Sequence, residues 1–216
     1  MFRAILFSQW KWSRLIVVLG TVAAFALPIL SLQGAGDRGS LQAQELLRAV
    51  QSWGTLYPVL AAALGLLVAI ATWAPDHRGR HVHALSLPLP RWRYVLLRFG
   101  SGATLLAAPI AAVTIGAVLA TAVATLPPGL QGYPASLALR FALAVLVAYA
   151  MFFAVSAGTA RTAGIILGVI GAIIAVQIVA SVANVEIDLL GKLQAGILNW
   201  PGPLAVFAGR WMLVDV

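Results

Sequence analysis

Long, nearly uninterrupted apolar runs restrict this chain to very few folds. Five of these apolar runs have the roughly 17 to 25 residues that an α-helix needs to cross a bilayer. They lie at residues 15–32, 56–74, 101–125, 137–158 and 163–183. The whole chain is 62% hydrophobic and 9% charged, with a mean hydropathy of +0.97. We therefore predict an all-α polytopic membrane protein that forms a single transmembrane domain over residues 1–216.

The two ends of the chain are less regular than its middle. Residues 1–14 mix aromatic and basic side chains, a pattern typical of a helix that lies among lipid headgroups. We predict an interfacial helix there, followed by an uncleaved first span, because the apolar run exceeds the roughly 7 to 15 residues of a signal peptide. Residues 198–216 are long enough to cross, but two prolines and Arg210 interrupt them, which leaves a sixth span open.

Basic residues are concentrated in alternate gaps between the apolar runs. One set of gaps holds Arg3, Lys11, Arg14, Arg78, Arg80, Arg91, Arg93, Arg98 and Arg161, whereas the other holds Arg38, Arg48 and Lys192. By the positive-inside rule, this asymmetry predicts that the N-terminus and the most basic gap face the cytoplasm. The net charge of +8 is therefore a topology signal, and we expect no nucleic-acid partner.

The most basic gap separates the second and third predicted spans. A polar turn after Pro75 leads into a segment that can form a short helix, and the alternating prolines of "LPLP" then stop it. The residues expected on this helix include Gly79, His81, Val82, Ala84, Leu85, Ser86 and Leu87. The chain re-enters the bilayer through "RWRYVLLRF", where we expect Arg91, Trp92, Arg93 and Arg98 to be headgroup anchors.

This segment resembles the type-2 ABC exporter permeases. The resemblance consists of an acidic residue after the second span, a short helix, and Leu85, Ser86, Leu87, Pro88, Arg91 and Arg98 in "LSLPLPRWRYVLLRF". It implies that residues 79–87 are a coupling helix that docks on a cytoplasmic ABC ATPase subunit, and that the first, second and fifth spans line the route. A second permease copy or a homologous chain would complete the transporter. The chain has no phosphate-binding loop, so the resemblance places ATP and Mg on the partner.

Other interpretations of the same features remain open. On charge alone, the basic gap equally fits a loop that sets topology and contacts anionic membrane lipids. The whole chain also fits a structural or accessory subunit of a larger membrane complex, or a small channel or carrier. No Ser-His-Asp order, carboxylate pair or zinc motif is apparent, and there is no cysteine, so we do not expect an enzyme or a cofactor on this chain.

A few polar and small residues merit separate attention. His77, His81 and His83 could bind a metal, because His77 and His81 have the spacing of ligands on a helix. Apart from Asp76 no carboxylate or thiolate is well placed beside them, and a solvated basic helix explains them as well, so we expect no metal site. Arg140 is near enough to the membrane surface to snorkel. Gln177, in the fifth predicted span, is expected to bond a neighbouring helix or to line a path. Gly164 and Gly168 form a G-x-x-x-G pair typical of close helix packing.

Overall fold

In a computed structural model of the chain, the described residues are mostly helical. They are residues 2–36, 43–78, 90–124, 126–158, 189–199, 201–202 and 204–215, together with positions 168, 172 and 175–176. The named α-helices are α1 (Phe2–Gly36), α2 (Ala43–Gly54), α3 (Leu56–Arg78), α4 (Arg91–Val123), α5 (Pro134–Ala157) and α6 (Leu189–Leu198). A 3₁₀ turn covers Ala205–Phe207, and two short strands, β1 (Gln131–Gly132) and β2 (Val214–Asp215), pair antiparallel.

Among the residues that the structure describes, four helices are long and apolar enough to cross a membrane, namely α1, α3, α4 and α5. The chain is therefore a helical protein suited to a bilayer, as its composition predicts. These helices contain the first four predicted spans, apart from the last residues of the third and fourth. The predicted fifth span, 163–183, lies outside the described residues except at positions 168, 172 and 175–176.

Helices α1 and α4 both begin earlier than the predicted spans they contain. The residues predicted as an interfacial helix (1–14) and as a span (15–32) belong to one continuous helix of 35 residues, α1, with no break at their boundary. No glycine or proline lies near that boundary to break it, and the Ser13 hydroxyl donates to the Gln9 carbonyl within the same helix. Helix α4 begins at Arg91, directly after its N-cap residue Pro90, whose backbone is extended (φ −62°, ψ 135°).

The described residues form two compact units. The first consists of Met1–Phe153 with Arg210–Val216, and the second is Ala154–Gly209. In the first unit α1 and α4 run parallel, since Gln9 meets Arg98 near their starts and the Phe25 carbonyl lies against Gly116 further along. Helix α3 runs antiparallel to α1, with Leu64 against Gly20. Buried small and branched side chains fill the contacts, among them Ala24, Val68, Leu106, Val113, Ala117 and Ala144.

The first unit has two chemically different ends. At one of them α1 and α4 begin and α3 ends, and this basic end carries exposed side chains of Arg3, Lys11, Arg14, Arg91 and Arg93. At the opposite end α1 ends, α3 and α5 begin, and the two short strands pair. The amphipathic helix α2 belongs to this opposite end, where it buries Leu46 and Val50 and exposes Arg48.

In the second unit, the described residues after α6 do not continue as a helix. The Gly202 amide donates to the Asn199 carbonyl (2.6 Å) and the Leu204 amide to the Ile197 carbonyl (2.9 Å), which folds the chain into a turn. Pro201 lacks an amide donor and Gly209 has a φ of +82°, so helical hydrogen bonding cannot run through this stretch. A sixth helical span at 198–216, which the sequence left open, is therefore absent from the described part of that range.

Candidate functional site

The residues predicted to contact an ATPase, within 79–87, lie outside the described part of the chain, as do Gln177 and Gly164. Gly168 is described, and no described atom lies within 4 Å of the position a Cβ would occupy there. The described helices that flank the connector at 79–90 are α3 and α4.

The flanking helix α4 exposes its first side chains. Arg91, Trp92 and Arg93 are all exposed, and Trp92 retains 60% of its accessible surface. The Arg93 guanidinium lies 5.2 Å from the centroid of the Trp92 ring, within the range of a cation–π contact. An exposed pair of this kind suits either lipid headgroups or a protein partner.

Arg98 is buried, whereas the sequence predicted that it would be a headgroup anchor. Its side chain is only 5% exposed, because it shares one helix face with Ser101 and Gly102, three and four residues later, and this face packs inward. The guanidinium lies 5.2 Å from the Trp73 ring centroid and 5.3 Å from that of Tyr94, and it donates to the Tyr94 hydroxyl. The sequence could not separate Arg98 from Arg91 and Arg93, since all three precede an apolar run.

A buried polar contact joins α4 to α1 beside Arg98. Gln9 and Ser101 are 2% and 0% exposed. The Gln9 side-chain amide donates to the Arg98 carbonyl (3.1 Å), and the Ser101 hydroxyl lies 2.6 Å from Gln9 Oε1. Hydrogen bonds between helices inside a membrane are worth about 0.6 kcal/mol on average and up to about 2 kcal/mol. This contact therefore fixes the register of α1 on α4 rather than supplying much stability.

Aromatic side chains join α3, α4 and α5 at the same level. Trp73 and Phe153 have ring centroids 5.1 Å apart, and the Trp73 indole donates to the Phe153 carbonyl (3.2 Å). Phe99 lies 5.1 Å from Tyr149 and 5.3 Å from Phe153, and the Tyr149 hydroxyl donates to the Phe99 carbonyl (3.2 Å). A Cβ at Gly102 would lie 2.1 Å from the Tyr149 hydroxyl, so only glycine permits this approach.

These contacts form one connected group, which we call the base cluster. Its members are Gln9 on α1, Trp73 on α3, Arg98, Phe99 and Ser101 on α4, and Tyr149 and Phe153 on α5. Trp73 lies five residues before the end of α3, and Arg98 lies seven residues after the start of α4. The base cluster therefore ties both helices that flank the connector to each other and to α1 and α5. Such an arrangement can transmit a displacement of the connector to all four helices.

The base cluster offers hydrogen bonds and ring contacts rather than metal ligands. Within the described ranges, no group of three or more His, Cys, Asp or Glu side chains comes together. His77 lies on α3, whereas His81 and His83 fall in the undescribed connector.

At the opposite end, Arg140 has a partner that the sequence did not predict. Its guanidinium donates to the Arg210 carbonyl (2.5 Å) and lies 4.7 Å from the Trp211 ring centroid. The sequence predicted only that the Arg140 side chain reaches the membrane surface, and it did not indicate the contact with Arg210 and Trp211. The partner is 70 residues away in sequence, so no local pattern could have indicated it.

Comparisons with known proteins add no further assignment. No protein-family model, curated protein or solved structure matches the chain. The functional assignment therefore depends on the geometry of the base cluster and on the pattern of the connector beside it.

Proposed function

We propose that the chain is the membrane-spanning permease subunit of an ATP-driven ABC exporter. The observation that supports this most directly is the position of the base cluster, which links α1, α3, α4 and α5 directly beside the basic connector at 79–90. A coupling element needs a stiff connection to the helices that it moves. A loop that only set topology would not need one.

In the proposed mechanism, a cytoplasmic ABC ATPase docks on residues 79–87 and supplies the force. ATP and Mg act on that partner, and this chain contributes no catalytic step. Closure of the ATPase pair displaces the connector, and the displacement enters α3 near Trp73 and α4 near Arg98. Helix α4 has 33 residues, about 50 Å at a rise of about 1.5 Å per residue, and so carries the motion across the roughly 30 Å hydrocarbon layer.

The sequence supplies independent support. Leu85, Ser86, Leu87, Pro88 and Arg91 stand where type-2 ABC exporter permeases have their recurring short motif. The distribution of Lys and Arg supports a connector that faces the cytoplasm, where an ATPase would be. A permease of this class would lie in a bacterial inner membrane.

A second copy of the chain, or a homologous one, would complete the transporter. Large apolar side chains on the outward faces of α1, α4 and α5 remain exposed, among them Leu15, Leu19, Ile115, Leu119, Leu139 and Leu143. Lipid and a second subunit are both apolar enough to cover them.

The test is a mild-detergent purification of the tagged chain with identification of its partners by mass spectrometry and an ATPase assay. Leu85→Asp is compared with the matched control Leu85→Met, which keeps an apolar side chain of similar volume. We expect an ATPase to co-purify with the wild type and the control, and to be lost or uncoupled in Leu85→Asp. Recovery of a stable set of membrane subunits without any ATPase would contradict the proposal and favour an accessory subunit.

A further inference from the structure

A short C-terminal segment returns to the opposite end of the first unit. We call Arg210–Asp215 the return strap. Its strand β2 pairs with β1 in the register Gln131 to Asp215 and Gly132 to Val214, and the Tyr133 amide donates to the Leu213 carbonyl (2.8 Å). Strand β1 itself lies against α4, since a Cβ at Gly132 would be 2.7 Å from Thr121. The strap thereby reaches α4 through β1.

Burial shows that the strap is docked rather than laid on the surface. Trp211, Leu213 and Val214 are 4%, 0% and 0% exposed. The Trp211 ring is nearly parallel to that of Tyr57 at the start of α3, with centroids 6.3 Å apart and an interplanar angle of 9°. The Trp211 carbonyl would lie 2.3 Å from a Cβ at Gly54, so the strap fits tightly into the corner between α2 and α3.

Arg140, on α5, also contacts Trp211. Its guanidinium lies over the Trp211 ring at 4.7 Å and donates to the neighbouring Arg210 carbonyl. Trp211 is thus the point where α2, α3 and α5 meet the strap. With β1 linking the strap to α4, the segment ties the helix ends together at the end remote from the base cluster.

The backbone pairing that holds the strap is short. Its ladder is only two residues long, and two-stranded pairing of this length is marginal by itself, so the docked state depends mainly on Trp211 and Leu213. Gly209, with a φ of +82°, directly precedes the strap and provides a pivot there, because glycine has little steric barrier to backbone rotation. A discrete packed contact next to a glycine pivot is typical of a two-state closing element.

We propose that the return strap is a latch that keeps the opposite end of the helices closed, and that opening requires Trp211 to leave Tyr57 and Arg140. The release of the latch during transport rests on the proposed permease function, since that is the end from which an exporter discharges its substrate. The docked latch at rest does not depend on that function.

The first experiment tests the docked latch without an ATPase or a substrate. The chain contains no cysteine, so single-cysteine variants can be labelled with N-ethylmaleimide in membrane vesicles without background sites. Val214→Cys probes the buried strap with little loss of side-chain volume, and Asp215→Cys, at an exposed strap position, is the matched control. We expect Val214→Cys to label about tenfold or more slowly than Asp215→Cys, and Arg140→Gln to accelerate labelling of Val214→Cys severalfold, as expected from the loss of a cation–π contact. Equal rates at the two sites would overturn the latch.

The second experiment tests its opening. In Gln131→Cys/Asp215→Cys the two sulfurs lie on directly opposed residues of the ladder, a geometry that permits a disulfide. The assay uses vesicles that carry the ATPase that co-purifies with the chain. We expect efficient oxidative cross-linking at rest and a severalfold lower yield when ATP and vanadate trap the ATPase. The two single-cysteine variants are the controls. An unchanged yield with the ATPase bound overturns the opening of the latch and leaves the permease function intact. If no ATPase co-purifies, the permease function and ATP-driven opening both fail, and the labelling rates alone decide whether the docked latch exists.

Discussion

The guanidinium of Arg98 lies 5.2 Å from the centre of the Trp73 ring, so the helix that enters the basic connector and the helix that leaves it are joined just beside it. A buried cation in an apolar setting has a desolvation cost, which contact with an aromatic face offsets by about 2 kcal/mol or more when water is excluded. Because the desolvation cost offsets much of what the Arg98–Trp73 contact contributes, the contact is better suited to positioning α3 against α4 than to stabilising the fold.

Replacing Arg98 by Met should uncouple the protein without unfolding it. Met fills similar space and removes both the desolvation cost of the buried cation and its cation–π contacts, two effects of opposite sign. We therefore expect thermal stability in detergent to be kept while the activity of the co-purified ATPase no longer responds to this chain. Arg14→Met, at an exposed position of α1, is the control and should retain coupling. Loss of folding in Arg98→Met would assign Arg98 a structural role only.

Trp73→Phe tests the indole hydrogen bond to the Phe153 carbonyl. The substitution keeps an aromatic ring and removes the N–H donor, so we expect the free energy of unfolding to fall by about 0.6 to 2 kcal/mol. Trp92→Phe makes the same chemical change at a residue that is 60% exposed and should leave stability unchanged. Denaturation in mixed micelles would measure both variants. Equal effects would contradict the packing of Trp73 against α5.

The contact between Gln9 and Ser101 can be isolated with a double-mutant cycle. Ser101→Ala leaves Gln9 Oε1 without the hydroxyl that lies 2.6 Å away, and Gln9→Leu removes both amide contacts. We expect a coupling energy of about 0.5 to 2 kcal/mol between the two substitutions, because the residues touch. Ser8→Ala, on the exposed face of α1, should show no coupling to Gln9→Leu or Ser101→Ala.

Gly102→Ala should be destabilising and Gly100→Ala should not. At Gly102 the new methyl group would lie 2.1 Å from the Tyr149 hydroxyl, whereas at Gly100 the nearest atom is 3.9 Å away. Overpacking of this kind costs about 1 to 3 kcal/mol, while alanine gains about 0.8 to 1 kcal/mol of helix propensity over glycine at a permissive site. Tyr149→Phe, which removes the hydroxyl, should restore part of the loss. Thermal unfolding of the single and double variants provides the measurement.

Some features followed from local pattern alone. The apolar runs at 56–74 and 137–158 predict α3 and α5 to within a few residues, because run length and hydropathy are properties of the segment itself. The start of α4 could have been read from Pro90, since proline favours the first turn of a helix and disrupts its interior. The continuity of α1 through Ser13 could have been inferred from the lack of any helix breaker there.

The base cluster and the return strap could not be predicted in this way. Arg91, Arg93 and Arg98 have the same chemistry and the same neighbourhood in sequence, yet only Arg98 is buried, because the positions of Trp73 and Gln9 on other helices determine which face of α4 points inward.

The contacts around Trp211 could not be predicted from local sequence pattern either. Tyr57, Arg140 and Trp211 are scattered over more than half of the chain, and their meeting depends on how α3 and α5 pack. Length, polarity and helix boundaries are encoded within each segment of this protein. Which polar side chain is buried, and where the C-terminal segment returns, depends on contacts between segments, which arise only when the helices assemble.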